Sequence, residues 1–196
     1  MPLLPSLTRG SGPVLTGRDL YLRHPDPQDY DAWAMVREES RDHLMPWEPT
    51  WAVDEHSRAA FRRRLQRHAR EIREDQAYPF FVFAKADGAL LGGVTVSNVR
   101  RGVAQAASIG YWIGVRFKGQ GVMTQAVAVL VPHLHGALGM HRIEAACIPD
   151  NGASKRVLLK NGFREEGLAR SYLKIAGTWR DHALFGRVAG DPLGPA

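Results

Sequence analysis

Residues 107–126, ASIGYWIGVRFKGQGVMTQA, constrain this chain more than any other stretch. A short apolar strand over residues 109–115 runs into Arg116-Phe117-Lys118-Gly119-Gln120-Gly121, and a helix-like run starts at once with Val122 and Met123. So short a junction puts the turn at the N-terminus of the helix, where backbone N–H groups lack partners and the macrodipole is positive. Gly119 and Gly121 admit positive φ and keep side chains clear of those donors. Arg116 and Lys118 add charge, so the turn reads as an anion cradle suited to a pyrophosphate. The two glycines by themselves would equally suit an ordinary tight turn. Walker A is excluded because no Gly-Lys-Ser/Thr ending follows, and the Rossmann fingerprint is excluded because position 124 is Thr.

The rest of the chain supplies strands and helices around this junction. Leu20 and Leu22 alternate with polar neighbours as a first strand, and Asp26-Pro27 opens a helix to about Leu44. Two prolines and two tryptophans in residues 45–51 interrupt the pattern, and Trp47 and Trp51 can wall a pocket or pack on the core. Asp54 can cap a basic helix running to about Glu74. Three strands joined by short turns, the first turn at Asp87-Gly88, should then form an antiparallel meander. After the cradle helix come a strand over residues 141–148, a short helix opened by Asp150 or Asn151 and closed by Gly162, and two strands meeting at Gly177. The expected class is α/β or α+β, one mixed sheet flanked by helices. A loose arm over residues 1–13, one domain over 14–190 and a tail over 191–196 complete the organisation.

Composition narrows the function. At 196 residues the chain is long enough for one domain with a sizeable core. No apolar run approaches the ~18 residues of a membrane span, and the N-terminus lacks the pattern of a signal peptide, so the cytoplasm is the expected location. The single cysteine, Cys147, permits no internal disulfide and sits in an apolar run, where a small buried thiol is expected. Arg62, Arg63, Arg64, Arg67, His68, Arg70 and Arg73 crowd one helix, whose arginines contribute to the net charge of +6. They form either a solvated face or a contact for RNA or a ribosomal surface, and no aromatic stacking platform accompanies them.

Arg-x-x-Gly-x-Gly at residues 116–121, after an aromatic strand and before an amphipathic helix, resembles the acetyl-coenzyme A signature of the GNAT N-acetyltransferases. Gly110-Tyr111-Trp112-Ile113, His141-Arg142-Ile143-Glu144-Ala145, Asn151-Gly152-Ala153-Ser154 and Asn161-Gly162-Phe163 follow in the order of the RimJ/RimL branch, and the resemblance spans roughly residues 16–188. It implies the GNAT fold, a mostly antiparallel twisted sheet whose splayed strand pair holds the cofactor. It also implies transfer of an acetyl group from acetyl-coenzyme A to the α-amino group of a protein N-terminus, notably that of a ribosomal protein, without a metal. A small amine such as a polyamine, amino acid or aminoglycoside is the alternative acceptor. A non-catalytic coenzyme A sensor or RNA-associated module is the alternative from another class. Either a monomer or a homodimer is compatible with this reading.

By the same resemblance, Ile113, Gly114 and Val115 meet the pantetheine arm through their backbone. Arg116, Lys118, Gly119, Gln120, Gly121, Val122 and Met123 surround the pyrophosphate, and Asn151 holds the arm. Ser154 and Tyr172 are rival proton donors to the departing sulfur, since a hydroxyl or a phenol is protonated at neutral pH. The resemblance does not fix the base: Glu48 and Glu144 can each deprotonate the amine, directly or through water, while Glu144 equally suits a pair with Arg142 and Glu48 a plain surface position. Asn151 and Ser154 also suit plain helix-capping roles.

Overall fold

A computed structural model describes residues 12–192. Of the expected arm over 1–13 only residues 12 and 13 are described, and of the expected tail over 191–196 only residues 191 and 192; the rest lies outside the described residues. Eight strands form one sheet in the order β1-β2-β3-β4-β5-β6-β8-β7. They are β1 Leu15–Thr16, β2 Leu20–Arg23, β3 Tyr78–Ala84, β4 Leu90–Arg100, β5 Ala106–Ile113, β6 Arg142–Cys147, β7 Arg164–Ile175 and β8 Thr178–Val188. Every neighbouring pair is antiparallel except β5 and β6.

The run YPFFVFA shows why the sheet is covered on both faces, since it is apolar at consecutive positions rather than alternate ones. Phe80 and Val82 point into one core with Val94, Val96, Ile109, Leu130, Leu134 and Ile143. Phe81 and Phe83 point the other way, against Trp33, Phe61 and Leu90. Helices α1 Tyr30–Glu39, α2 Arg41–Leu44 and α3 Arg58–Arg73 precede the meander, and α1 and α3 cover the second face. The first face takes α4 Val122–His135 and α5 Gly152–Lys160.

Local signals set most helix starts. Asp26 forms a capping box with Asp29 and Pro27 follows it, although the first turn is 3-10 and α1 proper begins at Tyr30. The helix does not run unbroken to Leu44. It stops at Ser40, whose buried hydroxyl accepts the Val115 N–H at 2.9 Å and so ties this helix pair to the segment after β5. The cap of α3 is Ser57, accepting from the Ala60 N–H at 3.1 Å. Asp54 does not cap it, because its carboxylate pairs with Arg63 at 2.6 Å.

Two histidines flank Phe80, and a third, His68, is half-buried on α3. The His24 ring stacks on Phe80 at 4.6 Å, and the His133 ring meets it edge-on at 6.2 Å. Burial lowers the pKa of His24 and of His133. Burial first, then the charges of Arg64 and Arg67, lowers His68 from 6.5 to about 4. A histidine whose folded pKa is depressed gives up stability as the pH falls, because below 6.5 the unfolded chain takes the proton more readily. The melting temperature should therefore drop between about pH 6.5 and about pH 4, and His68→Leu should flatten that slope in thermal melts across this range. An unchanged slope would show that His68 titrates as an ordinary exposed imidazole.

Candidate active site

The parallel pair is joined for a short length. Ala106, Ala107 and Ser108 lie opposite Arg142, Ile143 and Glu144, and beyond them β5 and β6 are no longer partners. From Ile109 to Ile113, β5 remains paired with β4 on its other side, and Ala145 to Cys147 of β6 remain paired with β8. Two strand edges thus face a gap, and each edge carries backbone groups that a ligand amide can satisfy.

At the head of the gap, Val115–Phe117 make a 3-10 turn and the chain passes through Gly119 and Gly121, both at φ 76°. Gly121 is the N-cap of α4, and no side chain caps that helix, so its first N–H groups are presented bare. A Cβ built on Gly119 or on Gly121 would meet nothing within 4 Å, and the space before the helix end is open. Arg116 is exposed and pairs with Glu39 at 2.5 Å, Lys118 is exposed, and the Gln120 amide donates to the Arg116 carbonyl at 2.8 Å. Met123 is buried in the core and Val122 packs against it, which leaves their N–H groups rather than their side chains facing the turn. The donor set fits a pyrophosphate.

Backbone donors just after β5 are less free than their positions imply. The Gly114 N–H donates to the Leu91 carbonyl and the Val115 N–H to Ser40 Oγ, each at 2.9 Å. Of Ile113, Gly114 and Val115, Ile113 alone belongs to the open strand edge, and the edge extends N-terminally to Ile109 instead.

A cavity of about 360 Å³ occupies the gap, lined among others by Tyr111, Cys147, Asn151, Ser154, Trp47 and His182. Asn151 caps α5, its side-chain oxygen accepting the Ser154 N–H at 3.0 Å. Ser154 Oγ lies 2.8 Å from Tyr111 Oη, and that phenol also reaches the Ser154 carbonyl at 3.2 Å. Burial pushes the Tyr111 phenol pKa up, with the Ser154 hydrogen bond pulling the other way, so the phenol stays protonated and able to donate. Burial likewise raises the Cys147 thiol, as expected of a small buried thiol, and Cys147 forms part of the cavity wall.

The other two proton-handling candidates of the late strands sit apart from Ser154. Tyr172, 48% exposed, and Glu144 line a second cavity of about 450 Å³. The two cavities share Ile109, Gly110, Ala145, Ala146 and Leu173 as walls. Glu144 is engaged by Arg142 at 2.9 Å and by Arg100. Glu48 is held bidentately by buried Arg37, at 2.7 and 2.5 Å, and accepts from Trp51 Nε1 at 2.7 Å. The Arg37 guanidinium lies over the Trp51 and Trp112 rings at 4.5 and 5.0 Å. This clamp, with the Ala176 N–H donating to the Glu48 carbonyl at 2.9 Å, fixes the loop that brings Trp47 and Pro49 to the cavity. Trp47 is thus a cavity wall and Trp51 part of its support.

Sequence reasoning missed Tyr111 and His182 as cavity residues. Tyr111 stands within the aromatic strand that drew attention as a motif, and His182 lies in an alternating strand with nothing local to mark it. On α3, Arg58, Arg63, Arg64 and Arg67 pair with Asp31, Asp54, Glu55 and Glu71, leaving Arg62, Arg70 and Arg73 without an ion pair among the described residues. Among those residues no group of three or more His, Cys, Asp or Glu is placed to hold a metal, and no helix is long and apolar enough to cross a membrane.

Residues 19–164 match the family model described as acetyltransferase (GNAT) domain. The chain is 35% identical over 172 residues to "Probable N-acetyltransferase YjcK" of Bacillus subtilis, covering 88% of this chain and 95% of that protein. It is 34% identical over 165 residues to the [ribosomal protein uS5]-alanine N-acetyltransferase of Escherichia coli, covering 83% and 85%. Among solved structures, Mycobacterium smegmatis RimJ in complex with CoA-disulfide superposes with a TM-score of 0.83 at 36% identity, covering 90% of this chain and 84% of that one.

Proposed function

Because the chain belongs to the GNAT acetyltransferase family, we propose that it transfers the acetyl group of acetyl-coenzyme A to the α-amino group of a protein N-terminus, a ribosomal protein foremost. The observation that carries the reading is the gap between β5 and β6, with an uncapped helix end at its head and Ser154 in its cavity. Support for the acceptor comes from the uS5-alanine acetyltransferase, which matches over most of both chains.

The N–H groups of residues 121–123, with Lys118 and Arg116 beside them, hold the pyrophosphate. Edges of β5 and β6 hold the pantetheine arm by backbone pairing, and Asn151 adds a side-chain contact. Acetyl-coenzyme A supplies an activated acyl group on a thiol that leaves readily. A backbone N–H of the β5 edge near Ile113 steadies the negative charge that develops on the thioester oxygen. Ser154 donates its proton to the departing sulfur, and Tyr111 behind it, kept protonated by burial, replaces the hydrogen bond that Ser154 gives up. The site of action is the cytosol, and Arg62, Arg70 and Arg73 of α3 supply the charge for any contact with ribosomal RNA.

Thiol release from acetyl-coenzyme A tests the reading. Peptides with free α-amines beginning with Ala or Ser should turn over. The same peptides with blocked N-termini, polyamines, amino acids and aminoglycosides should not. Turnover of small amines with inert peptides would overturn the assignment of the acceptor. Ser154→Ala should lower kcat about 100-fold with little change in the KM for acetyl-coenzyme A. Tyr172→Phe, altered in the adjoining cavity, should cost less than about tenfold, and the reverse ranking would make Tyr172 the donor.

A further inference from the structure

Acetyl transfer to an amine requires a base, since an α-ammonium has no lone pair with which to attack. The three carboxylates near the gap are already committed to guanidinium partners, Glu48 to Arg37, Glu144 to Arg142 and Arg100, and Glu166 to Arg142. Of the titratable groups lining the cavity that holds Ser154, Tyr111 and Cys147 are pushed toward their neutral, protonated forms and Lys174 is a donor when charged. His182 is different.

His182 is 3% exposed and lines that cavity from β8. Its Nδ1 lies 3.0 Å from the Arg180 carbonyl oxygen, which can only accept, so Nδ1 carries the proton and the neutral ring keeps its lone pair on Nε2. No hydrogen bond among the described residues engages Nε2. The ring is steadied by an edge contact with Tyr172 at 5.7 Å between centroids. Titratable side chains around it are Tyr172 and Lys174 from β7, Cys147 from β6 and Tyr111 from β5; Arg180 meets it through its carbonyl.

We infer that His182 is the general base of the reaction, its Nε2 taking the proton from the acceptor's ammonium group inside the cavity it shares with Ser154. The inference rests on the acetyltransferase reading and adds a residue to it. One proton passes from the ammonium to Nε2 and then to solvent. The neutral nitrogen forms the bond to the acetyl carbon, the carbon–sulfur bond breaks, and the second proton reaches the leaving sulfur through Ser154. The product amide keeps the third. Base and acid thus line one cavity from two elements, β8 and α5.

The test is His182→Asn, whose side-chain amide retains a donor for the Arg180 carbonyl and lacks the basic nitrogen. At pH 7, kcat/KM for the amine should fall about 100- to 10,000-fold, with acetyl-coenzyme A affinity and melting temperature preserved. The residual rate should climb as the pH rises through the acceptor's own α-amine pKa, about 8. Wild-type rate and pH profile in the variant would overturn the inference while leaving the acetyltransferase reading intact. Absence of turnover by the wild-type protein with any amine would overturn both. Should the variant fail to fold, nitrogen-15 spectra of the wild-type imidazole decide. An Nδ1–H tautomer whose Nε2 signal moves when a free-amine peptide joins the coenzyme A complex upholds the assignment, and an Nε2–H tautomer or an unmoved signal refutes it.

Discussion

Gly110→Phe should abolish acetyl transfer and leave the fold standing. Gly110 lies on β5 opposite Thr95 of β4 and lines both cavities. A Cβ built there meets nothing within 4 Å, and its φ lies outside the positive range, so no backbone strain opposes a side chain. Phenylalanine suits a strand, and its ring would occupy the opening between β5 and β6 that we propose for the pantetheine arm. Displacing the thioester by even an ångström costs about 100-fold, and a ring in the gap should exceed that in kcat/KM. The melting temperature should stay within about 4 °C of wild type. Thiol release and a thermal melt check both halves, and an active, folded variant would mean that the arm takes another path.

Gly121→Val should weaken acetyl-coenzyme A binding by about 100-fold, equivalent to about 2.7 kcal/mol. Gly121 is the N-cap of α4 at φ 76°, where a β-branched side chain is disfavoured by about 1–2 kcal/mol. Relief of that strain turns the first N–H groups of α4 away from the anion they would hold. Calorimetric titration measures the loss. Acetyl-pantetheine, which carries no pyrophosphate, isolates its cause: wild type and variant should process it at equal rates. A variant impaired equally with both donors would show a general distortion rather than a lost anion site.

These expectations depend on features that differ in how far the sequence exposes them. The cradle was legible because its parts are consecutive: an apolar strand, two glycines that the backbone requires at positive φ, and the helix start at Val122. Asp26 and Asn151 were legible as caps for the same reason, each acting on N–H groups within three residues. Asp54 is not the cap because Ser57 competes for the same helix end and the second turn of α3 offers Asp54 an arginine, Arg63. Glu48 shows the larger limit. As a carboxylate beside tryptophans it resembles a base, and only the packing of α1 reveals that Arg37 holds it. Gly114 and Val115 lose their free N–H groups to Leu91 and Ser40, 23 residues and 75 residues away respectively. His182 is hidden by its surroundings in the chain, since the tautomer that frees Nε2 depends on a hydrogen bond to the Arg180 carbonyl that only the folded backbone reveals, and the cavity it faces is built largely by α5, β5 and β6.

The measurement closest to the central claim uses one peptide that carries both a free α-amine and an internal lysine. Incubated with the protein and acetyl-coenzyme A, its product is mapped by tandem mass spectrometry. An acetyl group confined to the N-terminal residue, and absent when Gly110→Phe replaces the wild-type protein, is the predicted result. Acetylation of the lysine, or an unmodified peptide alongside rapid thiol release with small amines, would contradict it.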